Sequence, residues 1–132
     1  MRQKKKRDFL TDVELELMSH LWALEEASVR DVLCCLPPER KLAYTSAATI
    51  LRIMEQKGFV TSDKRGKSLI YRPLLAKDRY QVQTLRDLSD KLFDGTPASL
   101  VARLVDDTGL SEDALEEIRA LLDRRLRDDR ND

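Results

Sequence analysis

The side chains best placed to do chemistry lie between residues 40 and 73. The stretch YTSAATILRIMEQKGFV, residues 44–60, opens with Thr45, Ser46, Ala47, Ala48 and Thr49 before its apolar stripe begins. Thr and Ser are mediocre helix formers, so a helix built only for packing has no use for them in its first turns. Short hydroxyl side chains at a helix start let the backbone lie close to a surface and bond phosphate or base edges. The positive end of the helix also favours an anion such as phosphate. Arg52 follows one to two turns later, within reach of a guanine edge or the sugar-phosphate wall, and Lys41 and Tyr44 flank the helix start. Further on, Lys64, Arg65 and Lys67 crowd a turn around Gly66. Taken singly, hydroxyls at a helix start are caps and a charged turn is solvated. Taken together, these residues form a surface suited to the major groove of a duplex, with Lys64, Arg65 and Lys67 gripping the flanking backbone.

The charge distribution supports that reading although the net charge is zero. Residues 1–73 carry 14 Lys/Arg against 10 Asp/Glu, and residues 74–132 carry 10 against 14. Between 40 and 73 the balance is eight basic residues to two acidic ones. A basic half joined to an acidic half is expected where one part faces nucleic acid and the other does not. Other chemistries lack their parts. Cys34 and Cys35 are adjacent and, on a helix, point about 100° apart, a poor clamp for one metal. They are expected to be buried or half-buried thiols. With His20 as the sole histidine there is no zinc ligand set. No Gly-rich phosphate loop and no Ser-His-Asp arrangement occurs, so neither an enzyme nor a cofactor is expected. No run is long enough to span a bilayer, and MRQKKKR lacks the apolar segment of a secretory signal, which predicts a cytoplasmic protein without membrane insertion. That basic start reads either as a solvated tail or as an arm touching phosphate.

The elements that must position these residues can be read from capping and periodicity. Thr11 with Glu14 forms a capping box ahead of the apolar face Leu17, Met18, Leu21 and Trp22, predicting a helix over about 12–24. Ser28 with Asp31 repeats the device, and Pro37 and Pro38 stop the second helix. The third carries Ala47, Ile50, Leu51 and Met54 on one face, with Thr45 as its expected cap and Gly58 as its stop. Phe59, Val60, Leu69, Ile70 and Tyr71 are strand formers around Arg65-Gly66, a hairpin. Three helices and a hairpin make a winged helix-turn-helix.

From residue 77 the pattern is helical again, with stripes Leu85/Leu88/Leu92, Leu100/Leu104 and Leu115/Ile118/Leu122. Such narrow stripes make a poor core alone, and a symmetric partner chain would complete it; the competing arrangement folds them back on the N-terminal domain. The fold class is thus mainly α with a small β-hairpin. The organisation is a basic tail (1–8), a winged-helix DNA-binding domain (9–75) and a helical dimerisation domain (76–132).

LTDVELELMSHLWALEEASVRDVLCCLPPERKLAYTSAATILRIMEQKGFV resembles the penicillinase-repressor family (the BlaI/MecI/CopY group), winged-helix regulators that include the methicillin-resistance and copper-responsive repressors. The likeness continues through KRGKSLIYRPL and SLVARLVDDTGLSEDALEEIRALL, so it covers nearly all of the chain after residue 8. It implies a homodimer on inverted-repeat operators that blocks transcription. It further implies release when a membrane sensor protease leads to a cut inside the dimerisation region. The family's cut stretch resembles LVLNF; here it reads LVARL, which puts the corresponding bond at Arg103–Leu104. Copper-responsive members end in a cysteine-rich hook, whereas this chain ends LRDDRND, so metal sensing is not expected. At Ala48 some relatives carry a long side chain that reaches DNA; alanine offers at most an apolar contact with a thymine methyl. The rival reading is a winged-helix protein-interaction module that does not touch DNA.

Overall fold

The computed structural model describes residues 9–131; the basic tail, 1–8, lies outside the described residues. Two compact units follow one another, meeting between Thr84 and Leu85. The first contains α1 (Asp12–Leu24), α2 (Val29–Cys35), α3 (Tyr44–Gln56) and a hairpin of β1 (Val60–Arg65) and β2 (Ser68–Pro73). The helix α4 (Lys77–Leu92) runs through the boundary, and α5 (Pro97–Asp107) and α6 (Glu112–Asn131) complete the second unit.

Both expected capping boxes form. Thr11 accepts from the Glu14 N–H while Glu14 accepts from the Thr11 N–H, and Ser28 and Asp31 do the same for α2. Each box satisfies orphan N–H groups that would otherwise fray the first turn. The third start differs from expectation. The N-cap of α3 is Ala43, in extended conformation and without a side-chain bond, so Thr45 lies inside the first turn and not at its cap. Pairing in the hairpin also moves the turn by one residue. Arg65 pairs with Ser68, leaving Gly66-Lys67 as a two-residue turn in which Gly66 takes φ +62°. The first position of a mirror-image hairpin turn requires that conformation, which glycine adopts without strain.

The core of the first unit joins all its elements. Leu17, Met18 and Leu21 of α1, Val32 of α2, and Ala47, Leu51 and Met54 of α3 are fully enclosed, with Val60 and Tyr71 closing the hairpin side. Ala27, between α1 and α2, exchanges two backbone hydrogen bonds with Tyr71, so β2 is flanked by β1 on one side and a one-residue bridge on the other. The start of α4 belongs to this unit. The Tyr80 ring packs against Phe9, Trp22 and Phe59 and its hydroxyl accepts from the Leu10 N–H, while Trp22 Nε1 donates to the Leu75 carbonyl. Cys34 and Cys35 are both exposed, contrary to the buried or half-buried thiols expected. The inward face of α2 is taken by Val29 and Val32, which turns residues 34 and 35 outward.

The second unit is built differently. Among residues 85–130, Ser89 is the sole buried residue, and α5 buries none. Ser111 stands at the start of α6 and accepts from the Ala114 N–H at 3.1 Å.

Candidate nucleic-acid interface

The basic surplus of residues 40–73 consists of Arg40, Lys41, Arg52, Lys57, Lys64, Arg65, Lys67 and Arg72. Folding divides this set in two. Arg40 forms a two-pronged pair with Glu16 of α1, at 2.9 Å. Lys57, just past α3, reaches the buried Glu14 at 2.9 Å. Arg65 pairs with Glu26 at 2.7 Å, and Arg72 with Asp63. Each of these arginine bonds holds its carboxylate below the usual range: Arg40 acts on Glu16, Arg65 on Glu26, and Arg72 with Arg65 on Asp63. Lys41, Arg52, Lys64 and Lys67 have no acidic partner among the described residues, and all four are exposed. These four are the cations available to an outside anion.

Of the free cations, Lys41 precedes the hydroxyl-bearing start of α3, Arg52 lies within α3, and Lys64 and Lys67 lie at the tip of the hairpin. Tyr44, Thr45, Ser46 and Thr49 are exposed, and the three hydroxyls at 45, 46 and 49 make no hydrogen bond to other described residues. With no side-chain cap, the first-turn N–H groups of α3 are also open to an acceptor. Two pairs fix this helix at its ends: Arg40–Glu16 ties the linker before it to α1, and Lys57–Glu14 ties the residue after it to the same helix. The hairpin is tied to α3 as well, through Ser62 Oγ donating to the Glu55 carboxylate at 2.9 Å.

The structure separates the residues read as DNA-facing. Lys41, Tyr44, Thr45, Ser46, Thr49, Arg52, Lys64 and Lys67 share the exposed surface of the first unit; Arg65 is exposed but committed to Glu26, and Ala48 is half-buried against the core. One residue was not anticipated. Arg30, on the exposed side of α2, lies over the Tyr44 ring with its guanidinium 5.7 Å from the centroid, a cation–π contact that adds a charge beside the start of α3. The sequence signal for it was slight: a lone arginine two residues after a helix cap.

The residues read as dimer-forming and cleavable lie in the second unit. Leu85, Leu88, Leu92, Leu104, Leu115 and Leu122 are exposed, while Leu100 and Ile118 are half-buried. The Arg103–Leu104 bond lies inside α5, where Arg103 pairs with Asp107 at 2.7 Å. Among the described residues no helix is long and apolar enough to cross a membrane.

Three helices, a hairpin with a bridging third segment and an uncapped, hydroxyl-rich third helix define a winged helix-turn-helix protein. The sequence model of the Penicillinase repressor family matches residues 10–124, and the chain belongs to that family. The methicillin resistance regulatory protein MecI of Mammaliicoccus sciuri is 25% identical over 116 residues, 88% of this chain and 94% of that protein. The transcriptional regulator BlaI of Mycobacterium tuberculosis (strain CDC 1551 / Oshkosh) is 30% identical over 117 residues, 86% of this chain and 85% of that one. A solved structure described as the CopR repressor aligns with a TM-score of 0.45 at 28% identity, over 52% of this chain and 99% of the other.

Proposed function

We propose that this protein is a cytoplasmic transcriptional repressor of the β-lactamase/antibiotic-resistance type. It binds inverted-repeat operators as a homodimer, with the first compact unit, to Thr84, as the reading head and the second, from Leu85, as the dimerisation domain. The observation that carries the reading is the segregation of charge: the cations of residues 40–73 left without carboxylate partners lie just before α3, on its exposed side at Arg52, and at the wing turn. Thr45, Ser46, Thr49 and Arg52 then face base edges and phosphates in the major groove, while Lys64 and Lys67 hold the adjoining backbone. The dimer follows from the second unit, whose apolar stripes enclose no core of their own. A second copy would cover Leu85, Leu88, Leu92, Leu104, Leu115 and Leu122, and two tethered heads would meet two half-sites.

The resemblance to the antibiotic-resistance members implies relief by proteolysis, directly or through a membrane sensor protease, and the bond corresponding to their cut is Arg103–Leu104. A protease needs an extended segment, so α5 must open locally before this bond can be cut; within one chain α5 buries none of its residues, and its opening cost in the dimer is set by the contacts of the second copy. A cut there detaches α6 from the head. The fragment 1–103 is expected to bind operator as a single head does; a fragment that stays dimeric and binds as tightly as the whole chain refutes cleavage at this bond as the release step.

The test of DNA binding itself is a salt titration with the protein's own promoter region. If the dimer neutralises roughly six phosphates, log K falls by about five per decade of salt. A flat response, or no binding, refutes the assignment and favours a protein-interaction module.

A further inference from the structure

The wing carries two arginines, and both are held on the same face of the hairpin. In the register Thr61↔Arg72, Asp63↔Ile70 and Arg65↔Ser68, residues directly opposite one another share a face, so Asp63, Arg65 and Arg72 lie together. Lys64 and Ser62 lie on the other face, with Tyr71, and Ser62 is the residue that donates to Glu55 of α3. The two faces therefore look to different partners: the Lys64 face to the reading helix, the arginine face away from it.

On the arginine face the charges close into a chain. Arg65 Nη1 and Nη2 donate to the two Glu26 oxygens at 2.7 and 2.9 Å, a bidentate fork. Its Nε approaches one oxygen of Asp63 at 3.4 Å, and Arg72 Nη1 donates to the other. Two carboxylates and two guanidiniums sum to no net charge. Glu26 is held in place by its neighbour Ala27, whose N–H and C=O bond Tyr71 at 3.0 and 2.8 Å. The acceptor is thus fixed on the same strand that carries Arg72, and Arg65 meets it without displacing backbone.

We propose that Glu26 and Asp63 withhold Arg65 and Arg72 from DNA, so that the hairpin grips phosphate through Lys64 and Lys67. The proposal rests on the DNA-binding reading above. A turn of Arg65 towards a phosphate would leave Glu26 unpaired in the negative field of the duplex, exchanging one bidentate partner for another and adding a repulsion. Lys64 and Lys67 have no such partner to abandon.

The experiment is the salt dependence of binding to a random-sequence duplex, where each phosphate contact contributes about 0.9 to the slope of log K against log salt. Lys64→Ala and Lys67→Ala are each expected to lower the slope by about one per head, and the neutral replacement of a whole pair, Arg65→Ala with Glu26→Ala, to leave it unchanged. The double variant Glu26→Gln/Asp63→Asn releases both arginines and is expected to steepen the slope by about one to two per head. All the altered side chains are exposed, and thermal melting followed by circular dichroism checks that each variant folds. A slope lost on Arg65→Ala/Glu26→Ala as on Lys64→Ala, or an unchanged slope in Glu26→Gln/Asp63→Asn, overturns the proposal while leaving DNA binding intact. No binding by the unaltered chain refutes the DNA reading itself.

Discussion

Lys57→Met and Glu14→Gln remove opposite ends of one ion pair, and the structure predicts unequal costs. Lys57 Nζ lies 2.9 and 3.1 Å from the two Glu14 oxygens; the lysine side chain is 31% exposed and the glutamate 5%. Losing the ammonium strands a carboxylate in the interior with only the Thr11 N–H, at 2.9 Å, still bonded to it. Breaking a buried pair costs about 3–5 kcal/mol; the surviving hydrogen bond and the solvent reaching through the lysine site bring Lys57→Met to about 2 kcal/mol. Glu14→Gln keeps the shape and the acceptor for Thr11, and the released ammonium turns into water, so its cost is about 0.5–1 kcal/mol. The double variant should recover part of the Lys57→Met loss, giving a coupling of about 1 kcal/mol. Urea denaturation at neutral pH measures all three. Operator titration should show weaker binding by Lys57→Met with an unchanged salt slope, because Lys57 is spent inside the head. Glu14→Gln costing as much as Lys57→Met, or a shallower slope for Lys57→Met, would refute the reasoning.

Arg52→Ala and Lys64→Ala should differ in kind: loss of Arg52 weakens specific sites most, by about 1–3 kcal/mol if it reads a base, whereas loss of Lys64 weakens all sequences alike. Equal losses on operator and random DNA for both variants would contradict the division between α3 and the wing. Ile118→Asp combined with Leu122→Asp puts two carboxylates one turn apart on α6, where burial against a partner would leave them unpaired. Analytical ultracentrifugation should then show monomers whose heads still fold, and a dimer would place the interface elsewhere. The head should also lose stability in acid. Arg40 holds the Glu16 pKa below its ordinary value near 4.5, so the folded state binds fewer protons than the unfolded one there. That contribution is complete above the ordinary value and is lost as pH falls through the lowered one; Glu16→Gln should flatten this limb of the stability–pH curve.

Much of this molecule is written in local sequence. Capping boxes at Thr11/Glu14 and Ser28/Asp31 depend on residues three apart, and such signals survive without tertiary context. The apolar faces of α1 and α3 likewise follow from spacing alone, and so does the pair of strands around Gly66. Local reading misplaced the start of α3 because Thr45 is a good cap in isolation, whereas the helix begins earlier, behind Ala43.

What the tertiary structure decided is the use of the charges. In sequence, Arg65 and Lys64 are adjacent cations with the same apparent task. In the fold, alternation along β1 sends them to opposite faces, and Glu26, 39 residues away, takes the arginine. Arg40 and Lys57 were drawn to Glu16 and Glu14 by the same packing of α1 on α3, which no spacing rule reveals. Tyr80 brought the beginning of α4 into the aromatic cluster of the head, so the first compact unit extends to Thr84. Sequence fixes what each residue can do within a turn or two of its own backbone; which of two like charges is neutralised depends on partners that only the closed chain brings within hydrogen-bonding distance.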